Sequence, residues 1–478
     1  MLNRLMSLSN RISDMIIEKI HINEIIGGRY DNSFVLYHHR ISSYKYPLCP
    51  FYKLLITKPQ YGSGEAGIPR DNNNSPRYIR ITDIDENGSL INSVGVTAKN
   101  IEEKYILNDN DILIARSGNT VGKSYIHKSK MVDEPCFFAG YLIRFVVDQN
   151  IISPDYIFIF TKLSVFNDWV KVTQRVTGQP NINAEEYSNL LIPIPPVKIQ
   201  KEIVEIYSKA QKERSNKKQE AESITNTIDT FILKELGISF SHDIKKISSY
   251  KLSISSILGQ RYDTYYHQPY FEEAFSKLLS SHYPTKSLRD ISLVITSGIT
   301  PKSGGSDYSN QTEGIPFIRS GDIDINGDID FDNLLYITQS IHNTKMKSSK
   351  VMKNDIMIAI VGATIGQIGI YLSDREANIN QAIALVRLKT GINPEYVKEI
   401  LQSSIGQLNL DRLKRPVARA NINLEEVASI MIPIPDINKQ NEIVNKIKAI
   451  RLQAKQLQQE GDALLEETKK HIEKMIIG

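Results

Sequence analysis

The stretch ARSGNTVGKSYI, starting at Ala115, ends in the residues that nucleotide-binding loops use to grip phosphate: Gly122, Lys123 and Ser124. In such a loop the lysine supplies charge and the hydroxyl reaches a metal ion. Here Gly118 lies one residue too near, and Ser117 stands where the first glycine belongs. Glu102–Lys104 (EEK) offers half of a carboxylate-and-lysine metal site of the nuclease kind, but no convincing upstream aspartate accompanies it, so it reads as a solvated charged face. His38 and His39 are adjacent, which points their rings apart, and no Cys/His cluster surrounds them, so a metal role is not expected. No catalytic, cofactor-binding or metal site is assigned.

The elements around these residues are written twice. NINAEEYSNLLIPIPPVKIQKEIV from Asn181 recurs as NINLEEVASIMIPIPDINKQNEIV from Asn421, with 13 of 24 positions identical. PDY at Pro154 and PEY at Pro394 keep the same offset of 240 residues, YIRITDIDENG at Tyr78 returns as FIRSGDIDING at Phe317, and GGRYD at Gly27 as GQRYD at Gly259. Self-similarity at a nearly constant offset, with small drifts where loops changed length, marks a tandem duplication. The second copy settles the phosphate-loop question: Gln367 stands opposite Lys123 and Ile368 opposite Ser124, while Gly362 and Gly366 match Gly118 and Gly122. Only the glycines recur, which a turn between two apolar strands requires and an ATPase loop does not.

Each copy opens with short β-branched runs, YKLLIT and SLVIT, followed by a long Gly/Asn/Ser/Pro stretch, then the strands YIRITDID and DILIAR and the glycine hairpin. Helices are expected from Pro154 and Pro394, since proline suits a first helical turn. The extended IPIP element follows, and its prolines exclude helix. Beyond it the apolar period becomes heptad: Ile443, Ile447, Ile450, Ala454, Leu457, Gly461, Leu464, Thr468 in the second copy, and Ile203, Tyr207, Ala210, Arg214, Lys217, Ala221, Ile224, Ile228 in the first. About forty residues of helix reach on the order of 60 Å. Such a helix is marginal alone, so each needs a partner, and the simplest is the other. Arg214 and Lys217 interrupt the seam and can fix its register.

The bulk numbers are those of an ordinary soluble protein: 41% hydrophobic and 23% charged residues, with a net charge of +4 that only weakly suggests an anionic partner. Two cysteines, Cys49 and Cys136, exclude a disulfide framework and suit a reducing cytosol. The first twenty residues have no sustained apolar core and do not read as a signal peptide. The most membrane-like run, Ile356–Leu372, is interrupted by Gly, Thr and Gln, so the expected location is cytoplasmic.

A tandem unit of variable globular domain, IPIP-type element and long heptad helix resembles the specificity (S) subunit of type I restriction-modification enzymes. The motif that carries the resemblance is NIN-x-EE...IPIP-x-x-x-x-Q-x-EIV and its repetition. The resemblance implies an α/β (α+β) chain with two tandem globular target recognition domains, each followed by a long helix, the helices pairing as an antiparallel coiled coil with pseudo-two-fold symmetry. The corresponding partition is an N-terminal extension over 1–26, recognition domain one over 27–196, a long helix over 197–237, a linker over 238–258, recognition domain two over 259–436 and a second helix over 437–478. It further implies that each domain reads one half of a bipartite double-stranded DNA site. Two methyltransferase (M) subunits dock on the helices and motor-nuclease (R) subunits join them; S-adenosylmethionine, ATP and magnesium belong to those partners. Consistent with a non-catalytic chain, the sequence has no N/D-P-P-Y-type methylation motif and no F-x-G-x-G-type loop. A DNA-free protein–protein scaffold and a DNA-modifying enzyme with an unusual centre are the competing readings.

Candidate DNA contacts divide by comparing the copies. Shared arginines suit sequence-blind phosphate contact: Arg80 with Arg319, and Arg175 with Arg415. Arg80 and Arg319 can equally pair with Asp83 and Asp322. The RLKRPVARA loop carries Arg412, Lys414, Arg415 and Arg419 with no compensating carboxylate in the loop, which favours phosphate. Unshared loop residues are the candidates for base reading: Lys58, Gln60, Arg70, Asn72, Arg77, Arg116, Asn119, Lys123 and Gln179 in the first copy, with Lys302, Ser306, Asn310, Gln311, Lys414 and Arg419 in the second.

Overall fold

The apolar runs on either side of each glycine turn form fully buried strands. Ile112–Ala115 pairs antiparallel with Ser124–Ile126, and Ile356–Ala359 pairs with Ile368–Ile370 in the same register, Ile112 facing Ile126 and Ile356 facing Ile370. The computed structural model describes residues 37, 41, 44–70, 75–91, 95–132, 134–174, 179–239, 249–258, 261–415 and 420–478. These fall into two compact units, one of residues up to Lys217 with Gln458–Gly478, the other of Lys218–Leu457.

In the first unit the hairpin lies in a four-stranded antiparallel sheet ordered Gln60–Tyr61, Leu142–Phe145, Ile112–Ala115, Ser124–Ile126. A second four-stranded sheet runs Gly67–Pro69, Val96–Ala98, Arg77–Ile79, Cys136–Phe138, its last pair parallel. The second unit repeats the plan, with a four-stranded sheet ordered Ser292–Ser297, Ile383–Leu388, Ile356–Ala359, Ile368–Ile370 and a five-stranded one around Ile315–Ile318. SLVIT is a strand as its composition predicts, but YKLLIT is not. Phe51–Leu54 forms a single 3-10 turn, because Phe51 and Leu54, three apart, are the residues that reach the core.

The repeated motif is a set of local locks. Asn183 caps the helix Ala184–Ser188 by accepting from the Glu186 N–H at 2.8 Å, and Glu186 accepts from the Asn183 N–H at 2.8 Å. Asn423 and Glu426 do the same for Leu424–Ala428. Two orphan donors are satisfied reciprocally in each copy. The IPIP element becomes a short strand, Leu191–Pro193 against Leu48–Pro50 and Met431–Pro433 against Thr285–Ser287. The PDY and PEY tyrosines pin it, since the Tyr156 and Tyr396 hydroxyls each donate to a carbonyl, Pro193 and Pro433, at 2.8 Å. The glutamine shared by the two copies spans the next joint: Gln200 donates to Pro195 O and accepts from Ser153 N–H, and Gln440 does so with Pro435 and Asn393.

The long helices run Val197–Leu236 and Ile437–Ile477. Each contributes one segment to each unit. In the first unit Ile203, Tyr207 and Ala210 share a core with Leu465, Ile472 and Ile476. Arg214 Nε meets Asp462 at 2.6 Å and Lys217 Nζ meets Glu460 at 2.6 Å, so these segments run antiparallel. Past Gly461 the buried face follows Leu465 rather than Leu464, one residue off the strict heptad. In the second unit Ile228, Ile232 and Leu236 share a core with Ile443 and Ile447, and Lys439 pairs with Glu235 at 2.7 Å. No helix among the described residues is long and apolar enough to cross a membrane.

Candidate nucleic-acid interface

The glycine turns spend their main-chain donors internally. Gly118 N–H bonds Pro180 O at 2.9 Å, Gly122 N–H bonds Ala115 O at 3.0 Å, and Lys123 N–H bonds Thr120 O at 3.0 Å. A phosphate cradle needs those groups free. Gly118 and Gly362 hold φ of 77° and 78°, and Gly122 and Gly366 hold 89° and 94°, the left-handed backbone that favours glycine. The Lys123 ammonium pairs with Glu86 at 3.0 Å. The turn is a structural hairpin in both copies, and among the described residues no group of three acidic, His or Cys side chains is placed to hold a metal.

Several predicted DNA-contacting cations are neutralised by carboxylates distant in sequence. Arg70 is buried and pairs with Glu134 at 2.9 Å, with the buried Arg77 on the same carboxylate at 4.0 Å. Arg412 is buried between Glu272, at 2.6 Å, and the Tyr266 ring, at 4.2 Å from its centre. These three arginines are interior groups, which corrects the expectation that they sit on an open loop. Arg415 grips the capping carboxylate Glu426 at 2.8 Å and Lys414 pairs with Asp411 at 2.8 Å, so the basic loop does have compensating acids. Each pairing satisfies a charge that would be costly to leave alone in a partly dry site.

Arg80 and Arg319 are identical devices. Each places two guanidinium nitrogens on an aspartate three residues on, Asp83 at 2.9 and 3.0 Å and Asp322 at 2.7 and 3.1 Å. The hydrogen bond to that carboxylate raises the arginine pKa in both copies. The aspartates are buried while the arginines stay 38% and 42% exposed, so a solvent-facing edge remains for an anion.

Most of the remaining described candidates lie at the surface. Lys58, Asn119, Gln179 and Lys302 are exposed, and their side chains make no hydrogen bond or ion pair among the described residues. Gln60 is half-buried and accepts from Arg144. Arg116 is half-buried and lies over the Tyr61 ring, 4.9 Å from its centre. In the second domain Ser306, Asn310 and Gln311 are exposed, with the Asn310 side-chain Oδ1 occupied by the Thr312 and Glu313 N–H groups. Asn72, Arg175 and Arg419 lie outside the described residues. Tyr61 and the exposed Tyr141 are absent from the sequence candidates, because those are unshared loop residues of hydrogen-bonding type, Lys, Arg, Asn, Gln and Ser, and aromatic rings fall outside that set.

The family model for the type I restriction modification DNA specificity domain matches the chain twice, over residues 65–226 and 281–466. The EcoBI specificity subunit of Escherichia coli is 37% identical over 139 residues, which span 29% of either chain. The MjaVIII specificity subunit of Methanocaldococcus jannaschii is 22% identical over 382 residues, 79% of this chain and 78% of that one. Among solved structures, the S subunit of a type I restriction-modification system from M. genitalium is 14% identical with a TM-score of 0.40, over 91% of this chain and 96% of that one.

Proposed function

The chain belongs to the type I restriction modification DNA specificity family, and from that premise we propose that it is the DNA sequence-recognition subunit of a type I restriction-modification complex. Each globular domain reads one half of a bipartite site on double-stranded DNA. The two long helices pair, fix the distance between the halves and offer docking surfaces to two methyltransferase subunits, with motor-nuclease subunits joining that core. The chain itself is non-catalytic and acts in the cytoplasm; S-adenosylmethionine, ATP and magnesium serve the partner subunits. The observation that carries this reading is the duplication itself. What the copies share is scaffold, the caps, the pinned strand and the Arg–Asp turns, whereas their exposed loop residues differ. Two unlike half-sites held on one frame require that division. A DNA-free scaffold is not favoured, because the matching family is one of DNA specificity domains.

The test maps methylated bases by long-read sequencing in the native host, with and without the gene. Loss of a motif with two short specific halves around an unspecific gap is the expected result. Exchange of residues 30–150 for those of a relative should then change one half of that motif. A motif that stays the same after the exchange would rule out recognition by this domain.

A further inference from the structure

Arg116 is the one arginine candidate among the described residues with no carboxylate partner. Arg70, Arg77, Arg80, Arg319, Arg412 and Arg415 are all ion-paired. The Arg116 side chain makes no hydrogen bond to a described residue, and its Nε is buried without a partner. It is nevertheless tightly placed. Its N–H bonds Tyr141 O at 3.0 Å, and its carbonyl accepts from Ile182 N–H at 2.9 Å. Its guanidinium carbon lies over the Tyr61 ring, 4.9 Å from the centre, and the Tyr61 hydroxyl accepts from the Ala184 N–H at 3.0 Å, so the ring is a fixed platform. Beside it, the Gln179 amide nitrogen lies over the turn, 3.5 Å from where a Cβ on Gly118 would be, and Asn119 is exposed at the turn's tip. Tyr141 is 62% exposed on the same edge.

We propose that Arg116, held on Tyr61 at the glycine turn, is a specificity-determining residue that reads a guanine in the half-site bound by the first domain. The inference rests on the DNA-recognition reading above. A guanidinium held over an aromatic ring presents a planar fork of donors, which matches the O6 and N7 acceptors of guanine in the major groove. An unpaired, pre-oriented fork loses little freedom on binding and breaks no internal ion pair. The second domain lacks the device. Its turn places the buried Ile360 where Arg116 stands and Ala363 where Asn119 stands, although the turn backbone is the same. The two turns therefore contribute differently to the two half-sites, and this position reads a base only in the first.

The experiment uses the assembled complex with its methyltransferase subunits. The probes are duplexes carrying the motif found by methylation mapping, with each base pair changed in turn. Arg116→Lys keeps the charge and removes the fork. It should lose discrimination at one G·C pair of one half-site, by on the order of tenfold to a hundredfold, while affinity for unrelated duplex and its salt dependence stay at the wild-type level. Tyr61→Leu, which removes the platform, should weaken discrimination at that same pair. Uniform weakening on all duplexes, loss in both halves, or unchanged discrimination overturns the assignment. A wild-type complex with no sequence preference defeats the recognition reading itself, whereas wild-type preference retained by Arg116→Lys defeats only the role of Arg116. Thermal melting of each variant confirms that the comparison is between folded proteins.

Discussion

At the scale of single residues, the two copies act as mutants of each other. Lys162 is buried, donates to Ser124 O at 2.8 Å and lies 4.8 Å from the centre of the Phe158 ring. Burial pushes its ammonium down to about 7. The second copy solves the same problem with Gln402, whose neutral amide donates to Ile368 O at 3.2 Å. Lysine titrates near pH ~10.4 in an unfolded chain. Between about pH 7 and pH 10 the unfolded state therefore holds more protons than the folded state, and stability rises with pH. Below that window the penalty for burying the charge is present in full. Lys162→Gln should stabilise the protein most at and below neutral pH and flatten a rise of up to about 1.4 kcal/mol per pH unit. Chemical denaturation at several pH values between neutral and alkaline checks this; a parallel pH dependence in variant and wild type would reject it.

At the scale of elements, the long helices show why an imperfect seam is tolerated. Arg214 and Lys217 break the apolar stripe, yet each meets an acid from the opposite helix, Asp462 and Glu460. Such exposed pairs contribute roughly 0.2–1 kcal/mol each, so they select a register more than they add stability. The close approach is permitted by Gly461, where a Cβ would lie 3.3 Å from the Arg214 Cα. A glycine inside a helix costs up to about 1 kcal/mol against alanine, which the close packing here offsets. Gly461→Leu should overpack this crossing and cost about 1–3 kcal/mol. A lowered melting temperature with unchanged helix content by circular dichroism is the expected readout. The IPIP elements follow the same logic: their prolines forbid helix, and the pinned tyrosine converts an otherwise loose strand into the joint from which each long helix starts.

At the scale of the whole molecule, the proposed function makes the helices a ruler. Half-sites read by two domains must face one side of the duplex, so their separation relates to the helical turn of roughly 34 Å. Insertion or removal of one heptad-like step in a long helix should change the spacer of the methylated motif and leave both halves intact. Methylation mapping reads this directly, and an unaltered spacer in an assembled variant would end the ruler model. The prediction is independent of the base-reading one, because spacing is a property of the helices and sequence choice is a property of the loops.

The sequence by itself determined the repeated architecture, the long helices and the glycine turn, because each depends on local preferences written twice along the chain; the NIN-x-EE motif was legible as a repeat, and the structure shows that it is a helix cap. Asn183 and Glu186 are three apart, and the backbone alone brings them together. The two-copy comparison also disposed of the phosphate loop, since a phosphate-gripping lysine shared by the scaffold would have recurred and Gln367 stands opposite Lys123. Only the tertiary structure decided which arginines are spent. Arg70 meets Glu134 across 64 residues and Arg412 meets Glu272 across 140. Charge compensation over such separations depends on how sheets and helices pack, and no spacing along the chain encodes it. The partners of the IPIP strands and the 3-10 turn at Phe51–Leu54 were hidden for the same reason: short elements take their conformation from what they pack against.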